Sequence, residues 1–271
     1  MFPVYFHRLA AVSAFEVLCH RVVWSALLCV ILLAVRGKLG ELRAVFADRR
    51  TLLRLAASGI CISINWGGYI WAVTEGRALD ASLAYYVLPL VMLAVGVIVL
   101  GEKIGPRQAL AIAVMVAAVA ILAIDRGRVP WVVVILPLSF GCYALVRKLV
   151  VVDAMVGVTV ETLLLAPFAI AYLAMRPDGG ALINSDWTVK GLLLFCGPVT
   201  TVPLVLFSYG ARRLAMSTIG LMQYVNPTLQ ALLAVALLQE ELSRLQTVTF
   251  ILIWLGLAIY SLPIRGAARA G

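Results

Sequence analysis

Charge is the first thing this sequence lacks. Only 13% of its 271 residues are Asp, Glu, Lys or Arg, while 63% are hydrophobic; soluble domains run nearer about 25% and about half. So little charge cannot coat a water-facing particle of this size, and the soluble fold classes are excluded. Histidine is almost absent, at His7 and His20 only, and no H-E-x-x-H or G-x-S-x-G string occurs, so a zinc or serine hydrolase has little to work with. There is no G-x-x-x-x-G-K-[ST] loop, which argues against ATP-driven transport within the chain. The cysteines (Cys19, Cys29, Cys61, Cys142, Cys196) all sit in apolar runs without C-x-x-C or zinc spacing and read as buried small residues. No metal and no cofactor is expected. The first residues show no basic n-region with a cleavage site, and apolar runs continue along the chain, so a lone signal peptide is not the expected reading.

What is present is apolar length. Runs of 18 or more residues recur, each long enough to cross a bilayer. The spans are predicted at about Val17–Val35, Leu55–Val73, Ala81–Leu100, Arg107–Ile124, Val129–Val146, Val156–Met175, Val189–Phe207, Ala215–Leu238 and Leu245–Pro263. That makes an all-α integral membrane protein with nine full spans. Phe2–Phe6 reads as the end of a further, incomplete first span. The connections are short and leave no room for a soluble domain.

The net charge of +9 belongs to these connections rather than to a nucleic-acid surface. One side collects fourteen cations, Arg147 and Lys148 among them, and the other seven; Arg21 falls within a span. The richer side is expected to be cytoplasmic and carries the C-terminus.

A shift of 138 residues aligns Leu83–Gln108 with Leu221–Gln246 without a gap. Tyr86 meets Tyr224, Pro89 meets Pro227, Glu102 meets Glu240 and Gln108 meets Gln246, within eight identities over 26 positions. Charge counting puts Glu102 inside and Glu240 outside, so the repeats run in opposite senses. The expected architecture is an inverted repeat of five plus five helices, divided into halves 1–125 and 126–271, with a substrate site between them.

Polar residues inside spans are the candidates for function, because each is costly in hydrocarbon. Glu16, His20 and Trp24 form one stripe on the second span, with Arg21 adjacent; a helix entrance with snorkelling charges is the plainer alternative. Gln223, Asn226 and Gln230 form an amide stripe on the ninth span; interhelical hydrogen bonding is its plainer reading. Their repeat partners, Tyr85, Leu88 and Met92, offer an aromatic and soft apolar wall. Together these would suit an amphipathic organic molecule and would suit a bare ion poorly. Tyr86, Tyr224, Asn65 and Trp66 complete the expected substrate-binding set. Glu161, about five residues into its span, is a candidate proton carrier with His20 and Glu16; a carboxylate reaching the headgroups is the other reading. Pro89 and Pro227 break helices at equivalent places and are candidate gating points.

The strings His20-Arg21-Val22-Val23-Trp24-Ser25, Ile64-Asn65-Trp66, Ala84-Tyr85-Tyr86-Val87-Leu88-Pro89, Tyr143-Ala144-Leu145-Val146-Arg147-Lys148, Glu161-Thr162, Val199-Thr200-Thr201-Val202-Pro203 and Gln223-Tyr224-Val225-Asn226-Pro227-Thr228 resemble the EamA family of the drug/metabolite transporter superfamily. The resemblance covers essentially the whole chain. It implies ten helices in two inverted halves, both termini cytoplasmic, and a permease of the bacterial inner membrane. The expected function is secondary transport of a small organic metabolite or drug-like solute, by proton coupling or exchange. A non-transporting membrane protein, such as a sensor or assembly partner, is the alternative. An intramembrane enzyme comes third. The expected partners are the solute and the lipid bilayer, not nucleic acid, and a homodimer is compatible with this reading.

Overall fold

The computed structural model describes residue 5 and residues 8–75, 77–125, 131–226, 228–229 and 244–261. Among the described residues the regular structure is helical: α1 (Ala14–Val35), α2 (Leu39–Ala47), α3 (Arg49–Thr74), α4 (Ala78–Ala94), a π-helical turn (Val95–Val99), α5 (Pro106–Asp125), α6 (Trp131–Leu149), α7 (Ala154–Ala174), α8 (Ala181–Asn184), α9 (Trp187–Ala211), α10 (Met216–Met222) and α11 (Arg244–Ser261).

Helix starts follow from local chemistry. Ser13, Asp48, Asp153 and Asp186 stand just ahead of α1, α3, α7 and α9, and each side chain accepts a backbone N–H of the first turn. These caps satisfy donors that the helix itself leaves open. Four of the helices (α1, α6, α7 and α9) are long and apolar enough to cross a membrane, and three shorter apolar stretches accompany them at Ala84–Val99, Pro106–Ile121 and Thr247–Tyr260. Where the span prediction leaves a plain connection after Val35, the structure places α2.

Apolar side chains cover the surface as well as fill the core, unlike in a soluble protein. Ile98, Ile124, Phe168, Leu206 and Ile251 face outward, whereas Glu16, His20, Arg21, Arg147 and Glu161 are buried. This arrangement is stable where the surroundings are hydrocarbon. The chain is a multi-pass membrane protein.

Packing pairs α1 with α7 and α9, α3 with α6, α4 with α6 and α10, and α5 with α11. Small residues permit the closest crossings. A Cβ at Gly197 of α9 would come 2.8 Å from the Trp24 carbonyl oxygen on α1, and one at Gly220 of α10 would come 2.9 Å from the Pro89 oxygen on α4.

Polar ties hold the ends. Lys38 bridges Glu41 at 3.3 Å and Asp153 at 3.1 Å, joining the start of α2 to the cap of α7. Burial works against the Asp153 charge, but the bonds from Lys38 and from the Met155 and Val156 amides hold its carboxyl below the usual range. Glu102, in the connection before α5, accepts from the backbone amides of Met216 (2.6 Å) and Ser217 (3.0 Å) and from the Ser217 hydroxyl (2.7 Å), so it caps α10. Its repeat partner Glu240 lies outside the described residues.

One expectation is corrected. Standing at a span end beside Lys148, Arg147 is expected in a water-facing connection. Its side chain is fully buried and ion-paired to Glu161 at 3.6 Å. The charge asymmetry keeps its sign without it.

Candidate functional site

A cavity of about 340 Å³ opens among α1, α3, α4, α6, α9 and the segment after α10. Each wall has a distinct chemistry. Arg21 is the residue that α1 contributes; α3 adds Asn65, Trp66 and Tyr69, and α4 adds Ala84, Tyr85 and Leu88. Phe140 comes from α6, Thr200 and Phe207 come from α9, and Gln223 and Asn226 close the remaining side.

Arg21 is held from two directions. Its Nε donates to Thr200 Oγ1 at 3.1 Å, and its guanidinium carbon lies 4.5 Å from the centroid of the Trp66 ring. A hydroxyl acceptor and an aromatic face both compensate a desolvated cation. Asn65 Nδ2 donates to the Leu136 carbonyl at 2.8 Å, tying α3 to α6. Tyr69 and Tyr85 meet edge to face at 5.7 Å. At the other end of the cavity Phe140 packs edge-on to Phe207 at 4.9 Å, and Tyr143 lies behind both rings. The lining therefore combines one fixed positive charge, three amides and a majority of aromatic and aliphatic surface. Such a set recognises a molecule with an apolar body and a polar or anionic end.

Of the residues expected to bind substrate, the cavity brings together Arg21, Asn65, Trp66, Tyr85, Gln223 and Asn226. His20, Trp24, Tyr86 and Tyr224 stand outside its lining. His20 Nδ1 accepts from Trp24 Nε1 at 3.3 Å, and His20 Nε2 lies 4.0 Å from Glu16. Glu16 in turn pairs with Arg176 at 3.4 Å and accepts from the Ala181 amide at 2.6 Å. Arg176 also binds Asp178 and holds that carboxyl below its usual range. The Glu16 stripe is thus tied to the connection around α8. Tyr86 and Tyr224, repeat partners by sequence, share one core cluster with residues of α5 and α11. Pro89 lies inside α4, buried against Gly220. Gln230 and Pro227 lie outside the described residues.

Glu161, the eighth residue of α7, is almost wholly buried. Ser58 Oγ donates to its Oε1 at 2.6 Å, and Arg147 faces it. Sequence reasoning missed Tyr69, Thr200, Phe140 and Phe207 on the cavity wall, and Ser58, Arg147, Tyr143 and Ser208 below it. The pair Thr200-Thr201 followed by Pro203 was the available signal for α9.

The model of the EamA-like transporter family matches residues 1–124 and again 129–262. An uncharacterized transporter of Pseudomonas aeruginosa is 41% identical over 96% of this chain and 88% of its own length. The protein RarD of Escherichia coli is 37% identical over 95% of this chain and 88% of its own. A chloramphenicol-sensitive protein RarD of Pseudomonas aeruginosa is 31% identical over 95% and 87%. A solved crystal structure superposes with a TM-score of 0.69 at 18% identity, covering 96% of this chain and 94% of that one, which is a likeness of fold. With a family match across nearly its whole length, this chain belongs to the EamA-like transporter family.

Proposed function

We propose that the chain is a secondary carrier in the bacterial inner membrane, moving a small organic solute through the Arg21 cavity by proton coupling or exchange. The observation that carries this reading is Arg21 itself: a guanidinium buried within a membrane bundle and lining a cavity of aromatic and amide side chains. A buried charge in hydrocarbon is expensive and marks a substrate path by default. Arg21 holds the polar or anionic end of the solute, Gln223 and Asn226 meet its neutral polar groups, and Trp66, Tyr69 and Tyr85 cover its apolar body.

The halves 1–125 and 126–271 form an inverted repeat of five plus five helices in this reading. The double match of the family model and the 138-residue self-alignment support it. The C-terminus is cytoplasmic, as the positive-charge asymmetry favours. Glu161, His20 and Glu16 are the groups proposed to exchange a proton, with Glu161 favoured by its nearly complete burial in α7. Glu161→Gln is expected to flatten the pH dependence of flux.

The test is reconstitution of the whole chain into proteoliposomes, with and without a pH gradient. Chloramphenicol, which the name of one relative carries, and a bacterial metabolite extract serve as solutes. Saturable uptake that Arg21→Ala removes is the expected result. Absence of saturable uptake from both sources, with correctly inserted protein, overturns the carrier reading.

A further inference from the structure

Beneath the cavity lies a second, sealed polar layer. Phe140, Phe207 and Tyr143 cluster as its roof, with ring centroids 4.9 to 6.0 Å apart. The Tyr143 hydroxyl and Ser208 Oγ share a hydrogen bond at 3.0 Å, and Arg147 Nε donates to the same Ser208 at 3.2 Å. Arg147 then faces Glu161, which accepts from Ser58. Arg147 also donates to the Ala154 carbonyl at 3.1 Å. The layer therefore ties α3, α6, α7 and α9 together, and all five of its polar side chains are buried. Yet its bonding is incomplete: Glu161 Oε2 and Arg147 Nη1 are buried without a hydrogen-bond partner. A half-satisfied buried ion pair costs a static core more than well-packed apolar side chains of similar volume would, which singles this layer out as a place where the bundle can part.

The position of Glu161 has a counterpart. Ser13 caps α1 and Asp153 caps α7, and Arg21 and Glu161 each stand eight residues past their cap. Counted from their caps, these are corresponding places in inverted halves, two residues away from the 138-residue register of the self-alignment. One lines the open cavity; the other is shut behind aromatic rings. Alternating access exchanges two such arrangements.

We infer that the Arg147–Glu161 pair, with Ser58, Ser208 and Tyr143, is the closed gate of the cavity on the side where α6 ends and α7 begins. The pair separates when the carrier opens to that side. This rests on the carrier reading, and the test is read without any solute, so the two fail separately.

Cys29, fully buried and 3.8 Å from Thr201, shares a core cluster with Tyr143 and Val158 and serves as reporter. In a chain whose other four cysteines are replaced by alanine, a membrane-impermeant methanethiosulfonate is applied to each face of oriented vesicles. With the gate intact, Cys29 reacts slowly from both faces. Glu161→Gln removes the charge attraction and keeps a partner for Ser58. It should raise the labelling rate by about ten-fold or more from the α6–α7 face alone. If Glu161→Gln fails to fold, the neutral pair Arg147→Gln/Glu161→Gln replaces it. Unchanged labelling in a folded variant, equal acceleration from both faces, or failure of both variants to fold would each overturn the gate and leave the pair a structural tie.

Discussion

The guanidinium of Arg147 occupies the space that a side chain at residue 157 would fill. A Cβ on Gly157 would come within 2.6 Å of Arg147 Cζ and closer still to Nη1. Gly157 is on the first turn of α7, one turn before Glu161, so it is the absence of a side chain there that brings the cation to the carboxylate.

Gly157→Ala should therefore destabilise the fold far more than a helix propensity gain can offset. The guanidinium would be driven from Glu161, leaving a buried carboxylate without its ion pair, at a cost on the order of 3 kcal/mol. Gly191→Ala on α9 is the matched control, because nothing lies within 4 Å of the added Cβ. Thermal unfolding in detergent should show a large drop for the first and almost none for the second. Equal midpoints would mean that Arg147 finds another site at little cost.

Glu102 gives a pH-dependent prediction. Burial opposes its charge, but the Ser217 hydroxyl and the Met216 and Ser217 amides hold its carboxyl below the usual range. For a depressed carboxyl, the stabilisation is present above the unfolded value of about 4.3 and is lost as pH falls through the folded value. Glu102→Gln should cost about 1 kcal/mol near neutral pH, the scale of a helix cap. The wild-type and variant melting temperatures should converge as the pH drops below about 4. A gap that persists undiminished at low pH would assign the effect to packing rather than to the charged cap.

Much of this was legible in the chain because membrane insertion makes polarity conspicuous. Arg21, Asn65, Gln223 and Asn226 stand out against apolar neighbours, and all four reach one cavity. Thr200, Phe140 and Phe207 do not stand out, since threonine and phenylalanine are ordinary in spans. Which of them meets a cavity depends on the rotation of α6 and α9, which only packing sets. The periodicity of Glu16, His20 and Trp24 places them on one face, and the His20–Trp24 bond agrees. It could not say that this face leads to Arg176 and α8 rather than to the cavity. Arg147 was misplaced for a related reason: its burial is created by Gly157, ten residues away, and no local pattern announces it.

Pro89 stands four residues after Tyr85, so its missing N–H frees the carbonyl of a cavity-lining residue. The π-helical turn at Val95–Val99 further loosens the same helix. Pro89→Ala should restore the missing N–H, stiffen α4 and slow turnover several-fold while leaving solute affinity nearly unchanged. Equilibrium binding and single-turnover flux separate the two quantities. A variant with normal turnover would make Pro89 an ordinary membrane-helix proline.

The cavity's own test lies in grading Arg21. Its Nε reaches Thr200 while the guanidinium plane covers Trp66, so charge and shape both matter. Arg21→Ala removes both and should abolish saturable flux while the protein still inserts. Arg21→Lys keeps the charge but presents a compact ammonium in place of a planar fork. It should retain flux with affinity weakened by about ten-fold, close to 1.4 kcal/mol. Asn226→Ala, elsewhere on the same lining, should also abolish saturable flux with insertion intact. Thr200→Val provides an indirect probe, since it removes the hydroxyl that accepts from Arg21 Nε without touching the charge, and its loss should be smaller than that of Arg21→Ala. If flux survives both alanine variants, or if cysteine probes show positions 21 and 226 facing lipid, the solute does not bind in this cavity. An Arg21→Lys protein as inactive as Arg21→Ala would instead show that the fork geometry, rather than the positive charge, does the recognition.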